Sequence, residues 1–119
     1  VHAEESSEKV SLGYHLDGRV SCLFGTHTHI PTADTRVLPK GTAFQSDLGM
    51  CGDYNSVIGF EADKSIARFL KKVPREKFTP AVQEATLSGL LVEIDDKTGL
   101  ALSVQPFRQG GVLSNTPGL

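Results

Sequence analysis

No run of apolar residues in this sequence approaches the length needed to cross a bilayer, so no membrane partner is expected. Its start carries no apolar leader either. Val1-His2-Ala3-Glu4-Glu5 is polar and acidic, so no secretory signal is visible and cytoplasmic residence is expected. Positive charge is not in excess. The 12 Lys and Arg against 14 Asp and Glu leave a formal net charge of −2 at pH 7, which disfavours a binder that grips a nucleic-acid backbone. Cysteine is scarce: Cys22 sits in the apolar run Val20 to Phe24, and Cys51 in a glycine-rich loop. Two isolated cysteines without a secretory signal read as reduced thiols rather than a disulfide. Nothing beside Cys51 in sequence looks like an activating base, which argues against a nucleophilic thiol. Internal repeats and low-complexity blocks are absent.

What is present suits one soluble domain or part of one. Of 119 residues, 39% are apolar and 22% charged, an ordinary balance that argues against disorder. There is no initiator methionine, and His2 stands directly before a helix-like segment. The expectation is a chain cut inside a larger fold, although a separately encoded piece would look the same.

Residues 4–17 read as a helix, with Ser6 or Ser7 as its cap and Gly18 as its stop signal. Glu4, Glu5 and Glu8 suit the positive end of the helix dipole, whereas Gly13 is an unfavourable interior residue. Residues 20–24 predict a buried strand that delivers the chain into the loop Gly25-Thr26-His27-Thr28-His29-Ile30-Pro31. Short strands are expected over 34–38 and 42–46, with a turn at Pro39-Lys40-Gly41 and a loop over 47–52. Residues 62–72 predict a second helix with Ile66, Phe69 and Leu70 on one face, ended by Pro74. Residues 85–94 and 100–104 flank Asp95-Asp96-Lys97-Thr98-Gly99 and predict a β-hairpin. The tail over 109–119 has no periodicity and is expected to be disordered. The mixture points to an α/β or α+β layered architecture.

Three of the four histidines invite a functional reading. In an extended segment alternate side chains share a side, so His27 and His29 can reach one site while Thr28 points away. The alternative is two polar loop histidines in water. His2 precedes a helix start, which places it at the carboxyl end of a strand, where α/β sheets bind their ligands. It would then share an edge with the His27/His29 loop. His15 reads as a surface or boundary residue of the first helix. Three neutral imidazoles suit Zn, Fe or Mn better than Mg or Ca. A metal pair also needs carboxylates, and no such cluster is obvious. Asp34 and Asp47 could orient an imidazole through its other nitrogen, but capping a turn is the favoured role for each. For Thr26 and Thr28 a local structural role is favoured over phosphate binding.

Four blocks carry a resemblance: His2 to Lys9, Gly25 to Asp34, Thr42 to Met50, and Asp53 to Gly59. In order and spacing they resemble the C-terminal part of the YmdB-like, calcineurin-like bacterial metallophosphoesterases, which act on 2′,3′-cyclic nucleotides. The resemblance covers roughly residues 1–105 and is far stronger than His-x-His alone. It implies a β-sandwich flanked by helices, of which residues 1–108 would supply one sheet and part of the helical cover. It implies a hydrolase that uses two divalent metals, Fe or Mn first and Zn as a further option, to cleave a cyclic nucleotide or other phosphodiester. His2 and His27 would bind one metal and His29 the other. The missing N-terminal half would supply an aspartate, a bridging glutamate, an asparagine and a proton-donating histidine, so no catalytic residue is assigned here. Alone, the chain is expected to be inactive, to hold at most one metal and to self-associate as a homo-oligomer. The alternatives are a binding or scaffold remnant without chemistry, or a mononuclear metal protein using the three histidines. Departures are the loss of all but Val1 before His2, the loop Cys51-Gly52-Asp53-Tyr54-Asn55 in place of a Thr-Gly-Pro-like stretch, and a tail after Phe107 with no matching pattern.

Overall fold

Helix α1 (Ser6–Leu16) leads into strand β1 (Cys22–Phe24), and the computed structural model describes residues 1–71 and 77–117. Then come β2 (Arg36–Val37), β3 (Ala43–Gln45), helix α2 (Ala62–Lys71), β4 (Leu87–Ile94) and β5 (Ala101–Gln109). The fold is mixed α/β. β3 is central in a small sheet, parallel to β1 and antiparallel to β2. β4 and β5 form a second, two-stranded antiparallel sheet with a bulge at Glu93/Ile94. One sheet was expected from this chain and two are present, because the hairpin strands pair only with each other while β5 lies alongside β2 and β3.

α1 starts two residues later than its sequence pattern suggests. Glu5 occupies the cap position and makes no side-chain capping bond, so neither serine caps the helix. The interior glycine has a packing reason. A Cβ on Gly13 would lie 2.8 Å from two ring carbons of Phe44, so its absence lets that ring seat against the helix. The ring belongs to a core of Leu23, Leu38 and Phe44, against which Val10, Leu12, Leu16 and Val20 pack. Asp17, at the helix end, accepts hydrogen bonds from the Lys40 and Thr42 amides at 2.8 and 3.2 Å and so ties α1 to the turn before β3.

The predicted hairpin is present, closed by Asp95 N–H to Leu100 O at 2.9 Å and Gly99 N–H to Asp95 O at 2.7 Å. β5 runs to Gln109, beyond the expected strand. The described part of the following segment, residues 110–117, turns back on it. Arg108 N–H donates to Thr116 Oγ1 (2.9 Å), Thr116 N–H returns a bond to Arg108 O (3.1 Å), and Asn115 Oδ1 accepts from Gly110 N–H (2.9 Å). Short polar side chains bonding the local backbone hold this stretch without any apolar periodicity. Residues 118–119 lie outside the described residues, as do Lys72 and Pro74, the expected end of α2. The apolar face of α2 is not a core face: Phe69 and Leu70 are 83% and 78% exposed. Both cysteines are free thiols, and among the described residues no helix is long and apolar enough to cross a membrane.

Candidate metal centre

The three singled-out histidines lie at the carboxyl end of the small sheet, held by backbone pairing from both sides. Val1 to Ala3 run parallel to the extension of β1. The Val1 nitrogen donates to Phe24 O at 2.8 Å, Thr26 N–H donates to Val1 O at 2.9 Å, and His2 pairs with Thr26. On the other side Gly25 N–H donates to Gln45 O, and Leu48 N–H to Gly25 O, each at 3.0 Å. This position admits only glycine. A Cβ there would lie 1.9 Å from Ser46 O and 2.5 Å from Lys9 Cδ.

Beyond Gly25 the loop is not extended. His27 has φ 133° and His29 has φ 69°. The expected alternation of side chains therefore does not apply, and the two rings take separate partners. His27 Nδ1 lies 3.1 Å from His2 Nε2, with ring centroids 4.9 Å apart in an edge-to-face arrangement. His2 Nδ1 lies 2.9 Å from Thr26 Oγ1. His29 Nδ1 lies 2.7 Å from Ile58 O, and since a carbonyl only accepts, Nδ1 carries a proton; in a neutral imidazole that leaves Nε2 with the lone pair. Ile58 itself has φ 47°. Among the described residues the three non-glycine positions with positive φ are thus His27, His29 and the residue whose carbonyl fixes His29.

Asp47 organises the turn between the two histidines. Its carboxylate accepts from Thr28 N–H and Gly49 N–H, each at 2.8 Å, and pairs with Lys9 Nζ of α1 at 3.4 Å. Both side chains of the pair are at most 2% exposed. Burial alone would raise the Asp47 pKa. The Thr28 and Gly49 amides and Lys9 outweigh it and hold the carboxyl below the ordinary aspartate range. Asp34 behaves alike: burial raises it, and bonds from Ser46 and Thr32 bring it below that range. It also lies 3.7 Å from Arg36. Neither carboxylate bonds an imidazole: Asp47 caps the turn at Gly49, whereas Asp34 accepts from the Ser46 amide and hydroxyl and the Thr32 hydroxyl and so joins its loop to the end of β3. The Thr28 hydroxyl likewise bonds locally, to Ile30 O at 3.0 Å. His15 is exposed on α1, away from this arrangement. Nearby, Tyr54 clamps the Gly49-Met50 turn. Its hydroxyl donates to Met50 O at 2.8 Å and accepts from Met50 N–H at 2.7 Å, while burial pushes the phenol pKa up.

The structure therefore brings His2 and His27 together and pins His29 apart from them. Among the described residues no three His, Cys, Asp or Glu side chains gather closely enough to hold a metal ion. The donor chemistry still fits a share of a metal centre. Two imidazole nitrogens converge at one point and a third ring presents a free nitrogen, with its other nitrogen tied to a carbonyl as metal-bound histidines commonly are. The parts that sequence reasoning passed over are Lys9 and the Ile58 carbonyl. Lys9 sits four residues before Gly13, and these two are the buried residues of α1, a spacing that was available as a signal. No side-chain signal exists for a backbone carbonyl.

A sequence model of the YmdB-like protein family matches residues 1–107. The chain is 47% identical over 104 residues to a 2′,3′-cyclic-nucleotide 2′-phosphodiesterase of Bacillus subtilis (strain 168), spanning 87% of this chain and 39% of that protein. A crystal structure of a hypothetical protein from Thermus thermophilus superposes with a TM-score of 0.86 at 41% identity, over 94% of this chain and 43% of that one. A novel phosphatase from Mycoplasma pneumoniae gives the same TM-score and identity over 92% of this chain and 39% of that one. The chain thus spans about two fifths of the length of these relatives.

Proposed function

The chain belongs to the YmdB-like protein family, and from that premise we propose that it is part of a metal-dependent phosphodiesterase acting on cyclic nucleotides, to which it contributes metal ligands. The observation that carries this reading is the convergence of His2 Nε2 and His27 Nδ1 at 3.1 Å on a chain with such relatives. His2 and His27 would hold one divalent cation and His29 a second, with Fe or Mn preferred by nitrogen ligands and Zn a further option. When bound, such a pair supplies an activated water and charge stabilisation for phosphodiester cleavage. The chain's own residues do the positioning. Ile58 O holds a proton on His29 Nδ1, so that in the neutral ring Nε2 is the nitrogen that would ligate. Asp47 fixes the peptide between His27 and His29 through Thr28 N–H. The leaving-group acid and the carboxylate ligands are assigned to no residue of this chain.

The lack of a three-ligand cluster among the described residues favours a second reading, a binding or scaffold module without chemistry. Metal analysis of the full-length protein separates the two. Two equivalents of metal support the dinuclear centre, one a site built from the histidines alone, and none a remnant. For the phosphodiesterase reading, full-length protein with Mn²⁺ should hydrolyse a 2′,3′-cyclic nucleotide. Replacing His27→Ala should cost more than the ~10–100-fold typical of residues that only orient a ligand. The 119-residue chain alone should turn over negligibly, and robust turnover by it would refute this division of labour.

A further inference from the structure

We propose that the outward face of α2 is a docking surface for the same helix of a second copy of this protein, packed antiparallel about a two-fold axis. The proposal goes beyond the metal-centre reading and does not depend on it.

α2 is attached to the chain around it by its polar side. Ser65 is buried, at 5% exposure. Lys64 Nζ donates to the Thr79 hydroxyl, and the Arg68 guanidinium lies 4.0 Å from the centre of the Phe78 ring, which itself packs against Phe60 at 5.1 Å. The apolar stripe is turned outward. Ile66, Phe69 and Leu70 recur at the three- and four-residue spacing of one helix face, and all three are exposed. A surface helix of a folded domain normally turns such a stripe to the core and its polar side to water. α2 does the reverse, and three large apolar side chains held out together mark an interaction site rather than scattered surface residues.

The flank of the stripe selects what fits there. Positions 63, 67 and 71 follow one another at four-residue intervals along one edge of the helix, and they are an acid, a small residue and a base. Asp63 is exposed, and among the described residues its carboxylate accepts only from the adjoining Lys64 N–H, at 2.9 Å. An identical helix laid antiparallel brings position 63 of each copy opposite position 71 of the other, and position 67 opposite its own counterpart. Acid then meets base twice, the two alanines allow close approach at the centre, and each apolar stripe covers the other. In a parallel pairing acid would meet acid and base would meet base. The surface is thus complementary to itself only in the arrangement a two-fold axis generates, in which one patch serves both subunits. A face covered by another part of the same chain has no need of that self-complementarity. One ten-residue helix per copy is small beside the roughly 800 Å² per partner of a standard interface, so a reversible dimer with micromolar dissociation is expected.

The test is sedimentation velocity of the full-length protein over a micromolar concentration series. Wild type should show a reversible association. Phe69→Ser should weaken it at least about 100-fold, because an aromatic anchor is lost from both sides of the interface. Asp63→Lys and Lys71→Asp should each weaken it about 10-fold, because exposed pairs contribute modestly and each substitution turns two attractive pairs repulsive. An equimolar mixture of Asp63→Lys and Lys71→Asp should regain the wild-type affinity, since every pair in the mixed dimer is again opposite in sign. That recovery excludes misfolding as the cause of the single losses. Full-length protein that stays monomeric, or Phe69→Ser protein that associates like wild type, overturns the proposal. So do single charge variants of wild-type affinity, and a mixture that associates no better than its components.

Discussion

The Asp47 carboxylate holds the peptide between two histidines whose backbone angles are costly for any side chain. Non-glycine residues in such sparsely populated regions cost on the order of 1–3 kcal/mol each and persist only where surroundings over-determine them. Here the surroundings are the Asp47 bond to Thr28 N–H, the Ile58 bond to His29 and the His2 contact to His27. Asp47 and Asp34 titrate below the ordinary aspartate value because hydrogen bonds to their charged forms outweigh burial. A carboxyl depressed in the folded state stabilises fully above its unfolded pKa and loses that contribution as pH falls through its folded pKa. Stability should therefore hold from neutrality down to about pH 5 and decline below about pH 4, which acid titration followed by circular dichroism would check. In Asp47→Asn the decline should be shallower and the starting stability lower; an unchanged acid profile would mean that Asp47 is not held in its charged form. At this scale the sequence points to the histidine loop, and the structure presents its side chains differently from the expected alternation. His-x-His reads as alternation along a strand, whereas left-handed backbone is imposed by Asp47, a residue twenty positions from His27 and legible only once the chain has folded.

α1 is tied to the histidine loop by one side chain. Lys9 crosses from the helix to Asp47, and both groups are removed from water. Removing one partner of a buried pair leaves the other uncompensated, at a cost of about 3–5 kcal/mol. Lys9→Met should fall near the lower figure, about 3 kcal/mol, since Asp47 retains its two amide donors. Urea unfolding measures this; a loss below about 1 kcal/mol would indicate a pair that water already screens. The elements themselves were largely visible beforehand. The hairpin emerged because turn chemistry at Asp95 to Gly99 and the flanking apolar runs agree. α1 was legible apart from its first turn, where the serines that looked like caps are already helical. Gly13 looked like a flaw and is a seat for Phe44, a contact made across thirty-one positions that no local pattern encodes. Beyond β5, hydrogen bonds accepted by the Asn115 and Thr116 side chains, not apolar periodicity, turn the chain back on the strand.

The whole molecule is more extended than its length requires. Its radius of gyration is 16.9 Å, with extents of 55 × 31 × 17 Å, against about 13.5 Å for a compact domain of this size. Its accessible surface is 7692 Å², against about 6,300 Å² for a typical monomer of this mass. The surplus is in part apolar: Leu87 and Leu91 of β4, Leu102 of β5, and Ile66, Phe69 and Leu70 of α2 are all exposed. Apolar surface on this scale favours association. The 119-residue chain should bind a hydrophobic dye and show a concentration-dependent mass by light scattering at micromolar levels. A dye-silent, strictly monomeric chain would show that these faces tolerate water.

The residue types and their order were enough to determine the family, the mixed α/β character and the hairpin, because each is carried by local chemistry or a contiguous motif. Tertiary structure alone decided that His2 faces His27 while His29 turns to Ile58, that Asp47 rather than strand geometry shapes the loop, and that Thr26 stands beside the His2 ring. Those outcomes depend on contacts between segments far apart in the chain. The His2 contacts come into being when parallel pairing of residues 1–3 with the extension of β1 brings His2 beside Thr26, and the others when the chain returns through Asp47 and Ile58.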